Sequence, residues 1–261
     1  MTGPVPASSP DRPAATETAP DLGLAATGPG PSELADPDCL SPGESAELLA
    51  GHPWRRFVVL GDSVANGPFE AVEGFTRLRW TDRVAAELTA ATPDLRYLNL
   101  GRSGLRASEI RQTQLSAALE FQPDLAMVLG GGNDAFRRGY PEAADAVDAE
   151  LGAMIEQLQA AGAEVATIGI FDVSHSPAVP DRIRLELRQR LALLADRARG
   201  LAIRYDTVHS DLSCHRRAGD ATLYSADGRH GNARSDAIAA AEMVRCLGAR
   251  LRRSSAGGAR S

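Results

Sequence analysis

The sequence predicts an α/β protein, a three-layer α/β/α sandwich built on a five-stranded parallel sheet. Five short β-prone runs alternate with longer segments whose apolar residues recur at helical spacing. In addition, a chain of 261 residues with 43% hydrophobic content is long enough to bury one substantial core. We therefore expect one folded domain.

The five predicted strands are separated from one another by helical segments. They are Arg56 to Leu60, Arg96 to Leu100, Leu125 to Leu129, Val165 to Ile170 and Leu201 to Tyr205. Parallel strands need such helical crossovers, so the sheet should be parallel.

The predicted helices each carry one apolar stripe that should cover a face of the sheet. The stripes are formed by Val147, Leu151, Ile155 and Leu158, by Ile183, Leu187, Leu191 and Leu194, and by Ile238, Ala241, Val244, Leu247 and Leu251. The last of these helices should begin at about Ser235.

Both ends of the chain are predicted to be disordered tails. Nine of the sixteen prolines fall at or before Pro42, among Ala, Gly, Ser and Thr, a composition that buries too little apolar surface to fold. The last residues, RRSSAGGARS, have a similar character. We expect tails over residues 1–40 and 253–261, with the folded domain over residues 41–252.

Charge and composition exclude several classes of partner. The net charge of −6 argues against broad attraction to nucleic acid or to an anionic membrane. The N-terminus lacks the basic start and apolar run of a secretory signal, and no later run is long enough to cross a bilayer. These features predict a cytoplasmic protein.

Polar motifs follow the first three predicted strands. GDS ends at Ser63, NLGRSG runs from Asn99 to Gly104, and GGGND ends at Asp134. In parallel sheets, functional groups gather beyond the carboxyl ends of the strands. A serine at such a strand-to-helix turn can act as a nucleophile, and the other two motifs supply backbone and carboxamide donors.

These motifs and their order resemble those of the SGNH hydrolase family, also called GDSL esterases and lipases. GDS, NxGxSG and GGND come in turn after the first three strands, and DxxH comes shortly before the final helix. The resemblance covers roughly Arg55 to Leu251 and implies a flavodoxin-like SGNH hydrolase fold.

The resemblance also implies a role for each matching residue. Ser63 would be the nucleophile, and Asp227 and His230 would complete a catalytic triad. The oxyanion hole would be formed by the N–H groups of Ser63 and Gly104 and by the side chain of Asn133. The family requires no cofactor or metal for this chemistry.

Two assignments have rivals in the sequence. DxxH occurs at residues 172–175, 206–209 and 227–230, and only the last stands just before the C-terminal helix, where the family has its pair. Gly101 is the rival of Gly104 for the backbone donor. This chain also has Gly231 after the histidine, where the family often has proline.

Other polar residues near these motifs have plainer interpretations. Asp62 and Asp134 should brace their loops by accepting backbone N–H groups. The spacing of His175, His209 and His215 matches no metal-ligand pattern, so no metal is expected.

The function implied by these residues is hydrolysis of a carboxylic ester through an acyl-enzyme on Ser63. The partner would be a small-molecule ester. The same triad could instead transfer the acyl group to an alcohol or amine, and a fold without turnover would be a binding module.

Four arginines are predicted at the same edge of the sheet, because two flank Gly104 and two follow GGND. They are Arg102, Arg106, Arg137 and Arg138. They either form an ordinary solvated surface or bind an anionic group of the substrate by bidentate hydrogen bonds.

Overall fold

The computed structural model describes the backbone of residues 28–258 and the side chains of residues 28–255. Its strands are β1 Arg56–Gly61, β2 Arg96–Asn99, β3 Leu125–Leu129, β4 Glu164–Gly169 and β5 Val208–Asp211. They form one sheet in the order β2-β1-β3-β4-β5, with every neighbouring pair parallel. This is the flavodoxin-like order, and it confirms the predicted fold class.

Helices connect the strands and continue beyond the last one. They are α1 Pro31–Ala35, α2 Glu44–Leu48, α3 Ser63–Asn66, α4 Trp80–Ala91, α5 Ala107–Glu120, α6 Gly132–Ala135, α7 Tyr140–Ala160, α8 Asp181–Tyr205 and α9 Ala233–Gly258. Within residues 28–258, none of them is long and apolar enough to cross a membrane.

Two apolar cores lie on opposite faces of the sheet. Phe57 and Val59 of β1 point to the face that α4 and α9 cover, whereas Val58 and Leu60 point to the face that α5, α7 and α8 cover. The alternation follows from the two-residue period of a strand. Because both faces are buried, β1 and β3 read as continuous apolar runs in the sequence.

The fifth strand lies later in the chain than the sequence predicts. Residues 201–205 form the last turns of α8, and the strand comes directly afterwards, at Val208–Asp211. Leu201 and Ala202 are buried at helical spacing from Leu194 and Ala195, so the apolar run continues the stripe of α8. Asp206 ends the helix in a left-handed conformation.

The ordered domain is also longer than predicted. Residues 28–40, assigned to the tail, contain α1 and pack on the domain: Glu33 forms a buried ion pair of 2.5 Å with Arg83. Asp38 is 2% exposed and accepts hydrogen bonds from Arg216 and Arg217. The predicted start at residue 41 is therefore too late, and the predicted end at residue 252 falls inside α9. The remaining parts of the two predicted tails, residues 1–27 and 259–261, lie outside the described residues.

Candidate active site

Ser63 lies at the carboxyl end of β1, as the first residue of the short helix α3. Asp62 caps this helix by accepting the N–H of Val64 at 2.8 Å. A helix of four residues leaves its carbonyls without internal partners, and the Trp80 indole donates to the Val64 carbonyl at 2.6 Å. The turn that carries Ser63 is therefore fixed at both ends.

His230 and Asp227 form a close pair in the loop before α9. His230 Nδ1 lies 2.6 Å from Asp227 Oδ2, while Asp227 Oδ1 accepts the N–H groups of Arg229 and His230 and the hydroxyl of Ser225. Burial acts to raise the pKa of Asp227, but these hydrogen bonds outweigh it and hold the pKa well below its usual range. Asp227 is therefore an anion at neutral pH.

Glycine is required inside this loop. Gly228 has a φ of +69°, and a Cβ placed there would lie 2.3 Å from the Cβ of Ala178. Any other residue would be strained and would push the loop from its neighbour. The local sequence thus sets the position of the Asp227–His230 pair.

Ser63 and His230 line the same cavity, which has a volume of about 130 Å³. Its walls are mostly apolar and include Trp80, Phe136, Ile168, Ile170, Phe171 and Leu223. Within the described part of the chain, the Ser63 hydroxyl has no hydrogen-bond partner, so it is not yet bonded to the imidazole. Such bonds are often long or absent before substrate binds.

Backbone donors lie at the same edge of the sheet. In residues 28–258, the N–H groups of Ser63 and Gly104 meet no acceptor. Gly104 is exposed and has a φ of +86°. The N–H of its rival Gly101 is already bonded to Asn99 Oδ1 at 2.9 Å. Of the two glycines, only Gly104 has an N–H free to bind a substrate oxygen.

The Asn133 amide is held on two sides. Its Nδ2 donates to Asp62 Oδ2 at 3.0 Å and to the Leu105 carbonyl at 2.9 Å. Burial raises the pKa of Asp62 to about 6, and the nearby charge of Asp134 adds to the effect. Because of these two hydrogen bonds, neither amide hydrogen of Asn133 is free in the structure without substrate.

The predicted loop braces are confirmed. Asp62 accepts the N–H of Val64, and Asp134 accepts the N–H of Ala107 at the start of α5. The two carboxylates tie together the loops that follow β1, β2 and β3.

In the other two DxxH segments neither histidine lines the Ser63 cavity, although Val173 of the first segment does. His175 is 3.6 Å from Asp172, while His209 lies within β5 and bonds to Thr167 at 2.9 Å. The carboxylate of Asp206 binds an arginine of α9 instead of His209. Among residues 28–258, no three His, Cys, Asp or Glu side chains are arranged to hold a metal ion.

The four predicted arginines do not line the Ser63 cavity. Arg106, Arg137 and Arg138 border a separate concavity beside Asp134, and Arg102 is exposed. Acidic groups are close to two of them: Arg106 bonds to Glu109 at 3.1 Å, and the Arg138 side chain is 3.9 Å from that of Glu186.

Three charged residues that the sequence analysis did not select line the cavity instead: Arg79, Arg229 and Asp236. Arg229 stands inside the DxxH motif, which could have drawn attention to it. Asp236 lies in the first turn of α9, where its carboxylate accepts the N–H of Trp80, and burial raises its pKa to about 7. Nothing in the sequence marks Asp236 as a cavity residue.

Comparison with known proteins agrees with this architecture. The sheet order and the surrounding helices are those of flavodoxin-like SGNH hydrolases, which defines the class. Residues 59–238 match the GDSL-like lipase/acylhydrolase family, and the chain belongs to that family. It is therefore an esterase of the GDSL type.

Similar solved structures share the fold at low sequence identity. The TesA structure is 22% identical with a TM-score of 0.58, and the match covers 74% of this chain and 98% of TesA. A catalytic mutant of Axe2, an acetylxylan esterase from Geobacillus stearothermophilus, is 17% identical with a TM-score of 0.59, covering 76% and 94%. A lipase/acylhydrolase from Enterococcus faecalis is 20% identical with a TM-score of 0.56, covering 75% and 96%. Among curated proteins, no sequence matches the chain.

Proposed function

We propose that this esterase hydrolyses a carboxylic ester through an acyl-enzyme on Ser63. His230 acts as the general base, and Asp227 orients its ring and stabilises its cationic form. One observation carries the proposal. Ser63 and the hydrogen-bonded Asp227–His230 pair come from opposite ends of the domain, yet Ser63 and His230 line one cavity at the carboxyl edge of the sheet.

In the first half of the reaction, His230 Nε2 takes the Ser63 proton as the hydroxyl oxygen bonds to the ester carbonyl carbon. The carbonyl oxygen becomes an anion that the N–H groups of Ser63 and Gly104 and the amide of Asn133 would stabilise. The C–O bond of the ester then breaks, and the His230 proton goes to the departing alcohol.

In the second half, His230 removes a proton from water as the water oxygen attacks the acyl carbon. The bond to Ser63 breaks, the proton returns to the serine oxygen and the acid leaves. The apolar walls limit competing water around the ester, which strengthens the hydrogen bonds made to the oxyanion.

The test is covalent labelling combined with kinetics. A fluorophosphonate probe should label the wild type and not Ser63→Ala, whose ester hydrolysis should fall by several orders of magnitude. Ser103→Ala is the matched control, because Ser103 is an exposed serine of the neighbouring loop whose hydroxyl contacts only the Asn66 carbonyl. Equal labelling of wild type and Ser63→Ala would end the proposal.

The base is tested in the same assay. His230→Ala should be nearly as damaging as Ser63→Ala, and the two losses should not add, because the residues act as one unit. A larger loss in His175→Ala or His209→Ala would assign the base elsewhere. Product analysis with added alcohols and amines separates hydrolysis from acyl transfer.

A further inference from the structure

Arg229 occupies an unusual position in the Ser63 cavity. It directly precedes His230, and its guanidinium lies over the ring of Phe136, 4.9 Å from the ring centroid. Phe136 follows α6 on the loop that carries Asn133, and it also lines the cavity. The Arg229–Phe136 contact therefore joins the loop of the proposed base to the loop of the proposed oxyanion donor.

The charge of Arg229 is not balanced by a nearby acid. Within the described part of the chain, no carboxylate lies within ion-pair distance of its guanidinium. Asp227, two residues away, is already occupied by His230, Ser225 and backbone N–H groups. In an acidic protein, a cavity-lining guanidinium without an acidic partner is available to a ligand.

The contact with Phe136 also prepares the guanidinium for binding. It restrains the planar group, while within residues 28–255 no protein acceptor takes a hydrogen bond from the forked N–H donors of Arg229. That fork matches the two oxygens of a carboxylate or a phosphate and binds them by parallel charge-assisted hydrogen bonds.

The other charges in the cavity do not provide an equivalent site. Arg79 donates its Nε–H to the Gly67 carbonyl, and it lies near the carboxylate of Asp236. The carboxyl of Asp236 offers no positive charge to an anion. Arg229, at the loop beside His230, is the cation best placed for an anionic group on the substrate.

We propose that Arg229 determines substrate specificity by binding a carboxylate or phosphate group on the ester. This inference rests on the proposed function, since it places the anion beside the same serine and histidine. An anion site was one of two interpretations of Arg102, Arg106, Arg137 and Arg138, and the present inference assigns that site to Arg229 instead.

The test compares anionic and neutral esters, first with the charge on the alcohol side and then with the charge on the acyl side. 4-Acetoxybenzoate and 4-acetoxyphenyl phosphate carry the anion on the alcohol side, with methyl 4-acetoxybenzoate as the neutral control. Mono-p-nitrophenyl succinate and p-nitrophenyl butyrate make the same comparison on the acyl side. For each ester, kcat/KM of a variant is divided by that of the wild type, which cancels differences in leaving group.

Arg229→Gln should lower the anionic-to-neutral ratio of kcat/KM about tenfold for at least one anionic ester, mainly through KM. Added salt should reduce the same ratio in the wild type, because Arg229 is exposed. Phe136→Leu, which removes the stacked ring, should lower the ratio less. The benzoate and the phosphate esters show which anion fits better.

Arg137→Gln/Arg138→Gln is the matched control and should leave the ratio within about twofold of wild type. A selective loss in this double variant, or no selective loss in Arg229→Gln, would overturn the inference. The proposed function is judged separately. It fails if Ser63→Ala still hydrolyses the neutral ester, whatever the result for Arg229→Gln.

Discussion

Replacing Asp227 by Asn tests how much the charge next to His230 contributes to catalysis. Two unit charges about 4 Å apart attract by about 1 kcal/mol in water and about 4 kcal/mol at an effective dielectric constant of about 20. The side chains of His230 and Asp227 are 24% and 40% exposed, so solvent screens the pair partly. An intermediate value of about 2 to 3 kcal/mol corresponds to a loss in kcat of about 30- to 150-fold.

The substitution also disturbs the proton on the ring. The Asn amide nitrogen would face His230 Nδ1 as a donor and turn it into an acceptor, which moves the ring proton to Nε2. A protonated Nε2 cannot accept the Ser63 proton, so the measured loss in kcat should exceed the value from charge alone.

The assay is kcat for a p-nitrophenyl ester at neutral pH, measured for the wild type and for Asp227→Asn. Asp206→Asn makes the same change in the DxxH segment of residues 206–209, which does not line the cavity, and should stay within about twofold of wild type. A loss in kcat of less than about threefold in Asp227→Asn would refute the reasoning.

Three further predictions address other parts of the molecule. Asn133→Ala should cost roughly 3 to 4 kcal/mol of transition-state stabilisation, seen in kcat; a change in KM alone would show uniform substrate binding instead. Because burial raises the pKa of Asp236 to about 7, the native state holds this proton over a range in which the unfolded chain, with a pKa near 4, has lost it. The free energy of unfolding of the wild type, measured relative to that of Asp236→Asn, should therefore fall by at most about 4 kcal/mol as pH rises from about 4 to 7. The same difference between the two proteins in urea unfolding at pH 5 and at pH 8 would contradict this. Glu33→Gln leaves the buried guanidinium of Arg83 without its carboxylate and should cost about 3 kcal/mol in urea unfolding, against about 0.5 or less for Asp181→Asn, whose carboxylate is 97% exposed.

Four strands could be predicted from the sequence because each of them is buried on both faces of the sheet or ends at a polar turn. Every residue of β3 is buried, and so is all of β1 after Arg56, which produces unbroken apolar runs. β5 lies at the edge of the sheet, and only Val208 and Ser210 of its four residues are buried. VHSD gives no hydrophobic signal, so the sequence predicts a strand at the apolar end of α8 instead.

The packed segment before residue 41 could not be predicted from composition. Its order depends on long-range pairing of acids with arginines, such as Glu33 with Arg83 and Asp36 with Arg234. Composition predicts how much apolar surface a segment can bury, but it does not say whether its few charges meet partners on the rest of the domain. The same reasoning explains the arginines. Arg137 and Arg229 look alike in the sequence, and only the fold decides that Arg229 lines the Ser63 cavity.

The motif GGND identifies Asn133 as the proposed oxyanion donor, but it does not show whether the amide hydrogens of Asn133 are free. GGND places Asn133 on the loop after β3, but the amide hydrogens it would offer to an oxyanion are engaged by Asp62 and by the Leu105 carbonyl. For Asn133 to act, one of these bonds must weaken as charge grows on the substrate oxygen. The bond to the neutral Leu105 carbonyl is the one to yield, because a hydrogen bond to a carboxylate is about twice as strong as one to a neutral acceptor. Asp62 would then keep the amide aligned beside Ser63 while its other hydrogen turns to the anion, so the aspartate of GDS is a positioning residue for the asparagine of GGND.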